Sequence, residues 1–231
     1  KGSYELRALS EGFQAALHKI YENYQKQLQF SSNVAHELRT PLAVLRTKID
    51  VFKKKNPCLL PEMAGFVETM ERNIARLSNL VEEILFLTRD AKPNIKKVSV
   101  RGLAEEVLLD LEEKALSHQI TLLVQGDAKP FATDDILLER AIYNLVDNGI
   151  KYNVPGGSCS VVIQEKKQKL IIEVMDTGIG MGPEENQHAF DLFYRADASR
   201  SHKTAGYGIG LALVRDIVQR LKGNITIWDN T

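Results

Sequence analysis

The stretch MAGFVETMERNIARLSNLVEEILFLT, Met63 to Thr88, decides how the first half of this chain folds. Met63, Val67, Met70, Ile74, Leu77, Val81, Ile84 and Thr88 alternate steps of four and three, a heptad seam of more than three repeats. Such a seam marks a helix with an apolar stripe rather than a broad apolar face. Upstream, Val34, Leu38, Leu42, Leu45, Ile49 and Phe52 keep the same rhythm, as do Leu6, Leu9, Phe13, Leu17, Ile20 and Tyr24. The two four-residue steps around Phe13 read as a stutter in a coiled-coil seam. KKKNPCLLP, Lys53 to Pro61, breaks the pattern with a basic run and two prolines, and is the turn. A hairpin with stripes this narrow cannot bury both by itself. It predicts a homodimer, four helices around a shared core. Packing onto the C-terminal half would need a broader apolar face.

The bulk numbers bound the rest. At 231 residues the chain holds one large or two modest domains. Thirty basic residues balance thirty acidic ones, so no net field draws it to nucleic acid or anionic lipid. The two cysteines, Cys58 and Cys159, show no metal or redox spacing and read as reduced thiols. No apolar run reaches bilayer-spanning length, and no signal peptide opens the sequence. The chain begins already in helical rhythm, which suggests a portion of something longer.

Within the first helical stretch lies FSSNVAHELRTPLAVL, Phe30 to Leu45. His36 stands one residue before Glu37, and Pro41 falls in mid-helix, where it costs about 3 kcal/mol or more. A lone helical histidine is most often chemically silent, so the remainder of the chain has to decide its meaning.

DAKPN, Asp90 to Asn94, opens a linker placed at 91–98. Beyond it helices are expected over Arg101–Ser117, Thr133–Lys151 and Gly210–Leu221. Strands are expected over Ile120–Gly126, Gly223–Trp228 and, as a hairpin about a lysine-rich turn, Cys159–Asp176. The pattern is a separate α+β domain, an antiparallel-dominated sheet under helices.

Three clusters in this half carry chemistry. In NLVDNGIKYN, Asn144 and Asn148 are one turn apart and Lys151 and Tyr152 continue that side of the helix. Amide oxygens suit Mg²⁺ and an ammonium suits phosphate; alone, the cluster is equally a polar helix end. DTGIGM, Asp176 to Met181, sets a carboxylate at a strand end before Gly178 and Gly180. The missing side chains leave room for a flat ring, and the carboxylate can accept from an exocyclic amine. By itself this is also an ordinary strand-to-helix turn. GYGIGLALV, Gly206 to Val214, runs glycines into an apolar helix, whose N-terminal amides favour an anion. It is neither a Walker loop nor the dinucleotide fingerprint. Between the last two clusters, a polar stretch including FDLFYRADASRSHKT fits a lid over a ligand or a plain surface loop.

In order, spacing and residue types these clusters resemble the ATP-binding half of sensor histidine kinases. That Bergerat fold is shared with type II topoisomerases, mismatch-repair ATPases and some chaperones. HELRTP resembles the phosphoacceptor box of the same kinases, and the likeness covers about residues 30 to 228. The resemblance implies a signalling helix over 1–29, a dimerisation and phosphotransfer hairpin over 30–90 forming a dimeric four-helix bundle, and an α/β-sandwich catalytic domain over 99–231. It implies ATP and Mg²⁺ as cofactors and a response-regulator receiver as partner, the group passing from ATP to His36 and then to the regulator's aspartate. It also implies a membrane-anchored whole, of which this is a cytoplasmic portion.

Residue by residue, the resemblance assigns the adenine amine to Asp176, with Gly178 and Gly180 beside it. Asn148 becomes the Mg²⁺ ligand, Asn144 and Lys151 contact phosphates or metal, and Tyr152 lines the base pocket. Arg195 approaches the phosphate tail, and Gly206, Gly208 and Gly210 form the lid hinge and phosphate turn. Glu37 polarises the His36 ring. Thr40 positions water for the reverse, dephosphorylating reaction. Three departures stand out. Thr177 replaces a frequent asparagine, Gly149 a frequent alanine, and the sequence given ends at GNITIWDNT where the family usually adds a strand. The rival readings are a nucleotide-binding scaffold without kinase activity and an ATPase. The second would not need HELRTP and usually places a glutamate near Asn144, where this helix has Tyr143.

Overall fold

A computed structural model describes residues 29, 31–57, 60–89, 91–195 and 207–228. The N-terminal helix expected over 1–29 therefore lies outside the described residues, apart from residue 29, which is helical. The chain forms two compact units, Lys1–Asp90 and Ala91–Thr231.

The first unit is a helical hairpin. Helix α1 covers 31–55 and runs unbroken through Pro41; α2 covers Pro61–Thr88, with proline in its first turn where a missing N–H costs nothing. Asn56 closes α1, its Nδ2 donating to the Phe52 carbonyl at 2.9 Å. Two ion pairs fix the antiparallel register, Arg39 to Glu82 at 2.8 Å and Lys53 to Glu71 at 3.0 Å. Between the helices Ala35, Leu42, Ile74, Val81 and Leu85 are buried, with Ile49 and Ile84 packed against them. Only every second member of the expected α2 seam is buried: Val67, Ile74 and Val81 face inward, whereas Met63, Met70 and Leu77 stay exposed. Leu38 and Leu45 on α1 are exposed in the same way. Each helix thus carries two adjoining stripes, and the hairpin covers one of them.

The second unit is built on the strands β1 (Lys96–Val98), β2 (Thr121–Gly126), β3 (Phe131–Thr133), β4 (Ser158–Lys166) and β5 (Lys169–Asp176). β1 pairs antiparallel with β3. β2, β4 and β5 form one sheet in that order, β2 parallel to β4 and β4 antiparallel to β5. The β4–β5 turn is the expected lysine-rich one. Lys167 and Gln168 both take positive φ, 51° and 62°, the two-residue geometry that matches strand twist.

Helices α3 (Val100–Asp110), α4 (Glu112–Ser117), α5 (Asp135–Lys151) and α7 (Gly210–Arg220) accompany the sheet, with a short α6 (Pro183–His188). Leu138, Ile142, Val146 and Ile150 of α5 share a core with Val161 and Ile163 of β4, Ile120 and the buried face of α3. α7 contacts the same helix α5 and buries Ala212, Leu213, Val214 and Ile217.

Four expectations change. Gly223–Trp228 forms no strand among the described residues. Ile225 and Ile227 are half-buried between exposed neighbours, but alternation specifies a face and not the partner that makes a ladder. The end of the stretch expected as linker is strand β1. The helix expected over Arg101–Ser117 divides at Leu111, whose ψ of 0° ends α3 while its side chain enters the core. Thr133 ends β3 rather than starting α5.

Asp134 joins these pieces. Buried ahead of α5, it accepts from Leu137 N at 3.0 Å as the helix cap and from Asn94 N at 2.6 Å. Asp134→Ala removes a cap and strands an amide, and is expected to cost about 1–3 kcal/mol. Urea unfolding followed by Trp228, the chain's single tryptophan, reads the loss in this unit.

Candidate functional site

Helix α1 determines where His36 stands. Ala35 is buried in the hairpin, and the next residue is rotated by about 100°, which turns the imidazole outward. His36, Glu37 and Thr40 are all exposed. Four residues apart, His36 and Thr40 share one helix face. Arg39, between them, is held by Glu82 of α2. Among the described residues no hydrogen bond occupies the His36 ring or the Glu37 carboxylate.

In the second unit the expected residues gather at the C-terminal half of α5. Asn144 and Asn148 are half-buried on one face, and Asn144 Nδ2 donates to the Arg140 carbonyl at 2.8 Å. Gly210, first residue of α7, lies against them: a Cβ there would sit 3.1 Å from Asn144 Oδ1 and 3.8 Å from Asn148 Nδ2. The start of α7 and the polar face of α5 therefore form one surface. The Asn148 amide has no hydrogen-bond partner among the described residues. No cluster of three His, Cys, Asp or Glu able to hold a metal occurs among them. An Mg²⁺ with one amide ligand, completed by phosphate and water, fits that donor set.

The DTGIG turn closes the other side. Asp176 Oδ1 accepts from Gly178 N at 2.9 Å. Ile179 N donates to the Tyr152 carbonyl at 3.1 Å. A Cβ on Gly178 would fall 2.4 Å from that same carbonyl, so only glycine lets the loop meet the end of α5. Gly180 takes φ +68° with open space around it. Gly208, at φ +71°, accepts from Phe193 N at 2.9 Å, and a Cβ there would meet the Tyr194 carbonyl at 2.4 Å. That contact pins the chain beside half-buried Arg195 to the chain entering α7. Gly206 and residues 196–205 of the expected lid lie outside the described residues.

Lys151, expected to contact phosphates or metal, has a partner within its own unit. Its ammonium is paired with Oδ2 of Asp147, whose Oδ1 takes Lys114 of α4. In the sequence Asp147 shows only as an acid one turn from Asn144 and four residues before Lys151, and Lys114, on a different element, carries no signal at all.

Two departures from the family pattern find a physical account. Thr177 Oγ1 accepts from Ser158 N at 2.9 Å and donates to Asn153 Oδ1 at 3.1 Å, while Asn153 Nδ2 donates to the Gly149 and Ser158 carbonyls at 2.8 and 2.9 Å. This network ties the end of α5 to β4 and β5. Gly149 faces Cys159: an added Cβ would lie 2.7 Å from its Sγ and 3.4 Å from the Asp176 Cβ. The thiol fills the space that an alanine methyl would take. Burial, then the nearby charge of Asp176, pushes the Cys159 thiol up to about 12, so it remains a neutral packing group.

Comparison with known proteins follows the same division. Residues 26–92 match the His Kinase A (phospho-acceptor) domain, and residues 133–231 the histidine kinase-, DNA gyrase B- and HSP90-like ATPase family. The sensor histidine kinase RppB of Synechocystis sp. is 33% identical over 219 residues, 92% of this chain and 48% of that protein. The chain spans about half the length of the curated relatives it matches. Among solved structures, full-length ShkA in complex with AMPPNP aligns with a TM-score of 0.71 at 20% identity, over 84% of this chain and 41% of that one. Histidine kinase ThkA in complex with response regulator protein TrrA aligns at 0.59 and 20% identity, over 84% and 55%. At these identities the structures speak for the fold.

The Gly149–Cys159 contact makes a sign-changing prediction. Gly149→Ala alone overpacks the site and is expected to cost about 1–3 kcal/mol. In a Cys159→Ala background the same change is neutral or stabilising, since alanine is the better helix former by about 1 kcal/mol. Thermal denaturation of the four proteins distinguishes this from a simple additive loss.

Proposed function

The chain belongs to the sensor histidine kinases, and from that premise we propose that it moves the γ-phosphoryl group of ATP to His36 and then to an aspartate of a response-regulator receiver. The observation that carries this reading is an exposed, unoccupied imidazole on the hairpin, in the same chain as a glycine-edged polar surface on α5 and α7.

In the first step a ring nitrogen of His36 bonds the γ-phosphorus while the bond to the ADP oxygen breaks. Little covalent help is needed; position and charge neutralisation dominate. The attacking nitrogen must be unprotonated, and Glu37 accepts the proton of the other ring nitrogen as positive charge develops. Asp176 holds the adenine amine, Tyr152 lines the base pocket, and the Gly178 and Gly180 backbone approaches the ring. Asn144, Lys151 and Arg195 are assigned to the phosphates, with Gly206, Gly208 and Gly210 at the lid hinge and the phosphate turn. Asn148 is the residue that would hold Mg²⁺, which when bound neutralises phosphate charge. Thr40, on the His36 face, serves the reverse hydrolysis of the phosphorylated regulator. Both ThkA with its regulator and ShkA with AMPPNP are consistent with these partners.

The homodimer reading rests on the second stripe of the hairpin. Leu38, Leu45, Met63, Met70 and Leu77 are 37–50% exposed, and covering each such side chain contributes roughly 1 kcal/mol or more. We place the unit on the cytoplasmic side of a membrane receptor, where ATP and receivers are found. Among the described residues no helix is long and apolar enough to cross a membrane.

Incubation with γ-labelled ATP tests the reaction. Acid-labile, base-stable label that disappears in His36→Gln and in Asn148→Ala is expected; phosphate release without labelled protein would identify an ATPase instead. Leu45→Glu combined with Met70→Glu is expected to give a monomer by analytical ultracentrifugation, with the helical content of the hairpin largely kept.

A further inference from the structure

We propose that Lys114 is a positioning residue for nucleotide binding: by neutralising Asp147 it frees Lys151 to leave that carboxylate for the phosphates. The inference rests on the nucleotide reading above and adds a residue outside all the motifs that led to it.

Asp147 is buried, with a residue exposure of 9%, on the α5 turn between Asn144 and Asn148. Its two oxygens are divided between two ammonium groups: Oδ1 takes Lys114, delivered by α4, and Oδ2 takes Lys151, one turn on along α5. On a helix of 3.6 residues per turn Lys151 lies within about 20° of Asn144, so it shares the polar face that approaches Gly210. Asp147 is set back from that face, toward the core. Its field reaches Tyr143 as well, whose hydroxyl is pushed above the usual phenol range by burial and then by Asp147 and Asp110.

A buried carboxylate requires a counter-charge, and removing its only partner is strongly unfavourable. Were Lys151 the only partner, drawing it onto a triphosphate would leave Asp147 uncompensated, and the cost would be subtracted from nucleotide affinity. Lys114 removes that cost. With two ammonium groups on one carboxylate the cluster carries a net positive charge at rest, and either lysine can leave without stranding the acid. Lys151 borders the polar face and can leave; Lys114, delivered by α4 to the other carboxylate oxygen, stays. The arrangement keeps Lys151 ordered before ligand arrives and releasable when it does.

The test compares ATP with adenosine, which lacks the phosphates, on the full chain by titration NMR. Lys114→Met is expected to weaken ATP binding about tenfold or more and to leave adenosine binding unchanged. Lys114→Arg keeps the charge and should bind ATP within about twofold of wild type. Lys114→Met combined with Asp147→Asn removes acid and counter-charge together, and ATP affinity should recover to near the wild-type value. ATP binding unaltered in Lys114→Met overturns the proposal. So does equal weakening of ATP and adenosine, the mark of a structural role, or a double variant as weak as the single one. A wild-type chain that binds adenosine and ATP equally removes any phosphate role for Lys151, and this inference with it. A chain that binds neither sinks the nucleotide reading itself.

Discussion

Helix α5 must be sealed on one side and open on the other, and the second unit is arranged around that requirement. Leu138, Ile142, Val146 and Ile150 are almost wholly buried with the inner face of β4. Each such side chain contributes about 1.5–3 kcal/mol on leaving water, so the rotation of α5 is not negotiable. Once it is set, Asn144, Asn148 and Lys151 have one direction left to face. Two glycines then bring neighbouring backbone to that face: Gly178 admits the strand-end loop at the Tyr152 carbonyl, and Gly210 admits the start of α7, while Gly149 admits the Cys159 side chain on the buried side of the helix. The surface is polar because the helix has spent its apolar side elsewhere.

The hairpin solves the opposite problem. Its two helices have more apolar stripe than they can cover for each other, so Ala35, Leu42, Ile74 and Val81 are enclosed while Leu45 and Met70 are not. In the sequence, strict heptad alternation makes one stripe. In the hairpin it resolves into two sets of seven-residue repeats, one facing the partner helix of the same chain and one facing outward. Arg39–Glu82 and Lys53–Glu71 are exposed pairs, each of small energetic weight. Their contribution is register, since either pair is lost if one helix slides by a turn.

The sequence made long-period features legible and left pairing features obscure. The two helices of the hairpin, α5, α7 and the β4–β5 turn were visible because each rests on a local rhythm or on turn chemistry. β1 and β3 are three residues each, too short for any alternation to register, and they exist only because they find each other across the unit. The break at Leu111 was invisible for a related reason: an apolar residue continues the helical pattern whether or not the backbone does. Among the candidate site residues, Asn148, Asp176 and the glycines stand out in the sequence by type and order. The condition of Lys151 was legible only in part: Asp147 stands four residues before it on the same helix, but the further partner Lys114 is brought to that carboxylate only by the fold. The reason for Gly149 lies in the fold, where the Cys159 thiol occupies the space a methyl group would take.

The surroundings of His36 follow from the hairpin and not from any local device. Proline at 41 has no N–H to offer the Glu37 carbonyl, so the turn carrying the ring lacks one of its backbone bonds. Helix α1 nevertheless continues through it. Side-chain packing supports that turn beside its remaining backbone bonds: Ala35 before the ring and Leu42 after it are buried within the hairpin, with Arg39 fastened to Glu82 between them. The His36 turn is flanked by side chains that engage the hairpin, Ala35, Arg39 and Leu42, while the ring itself stands in solvent. Exposure at His36 then has its origin in the narrow stripe that leaves the rest of α1 in solvent.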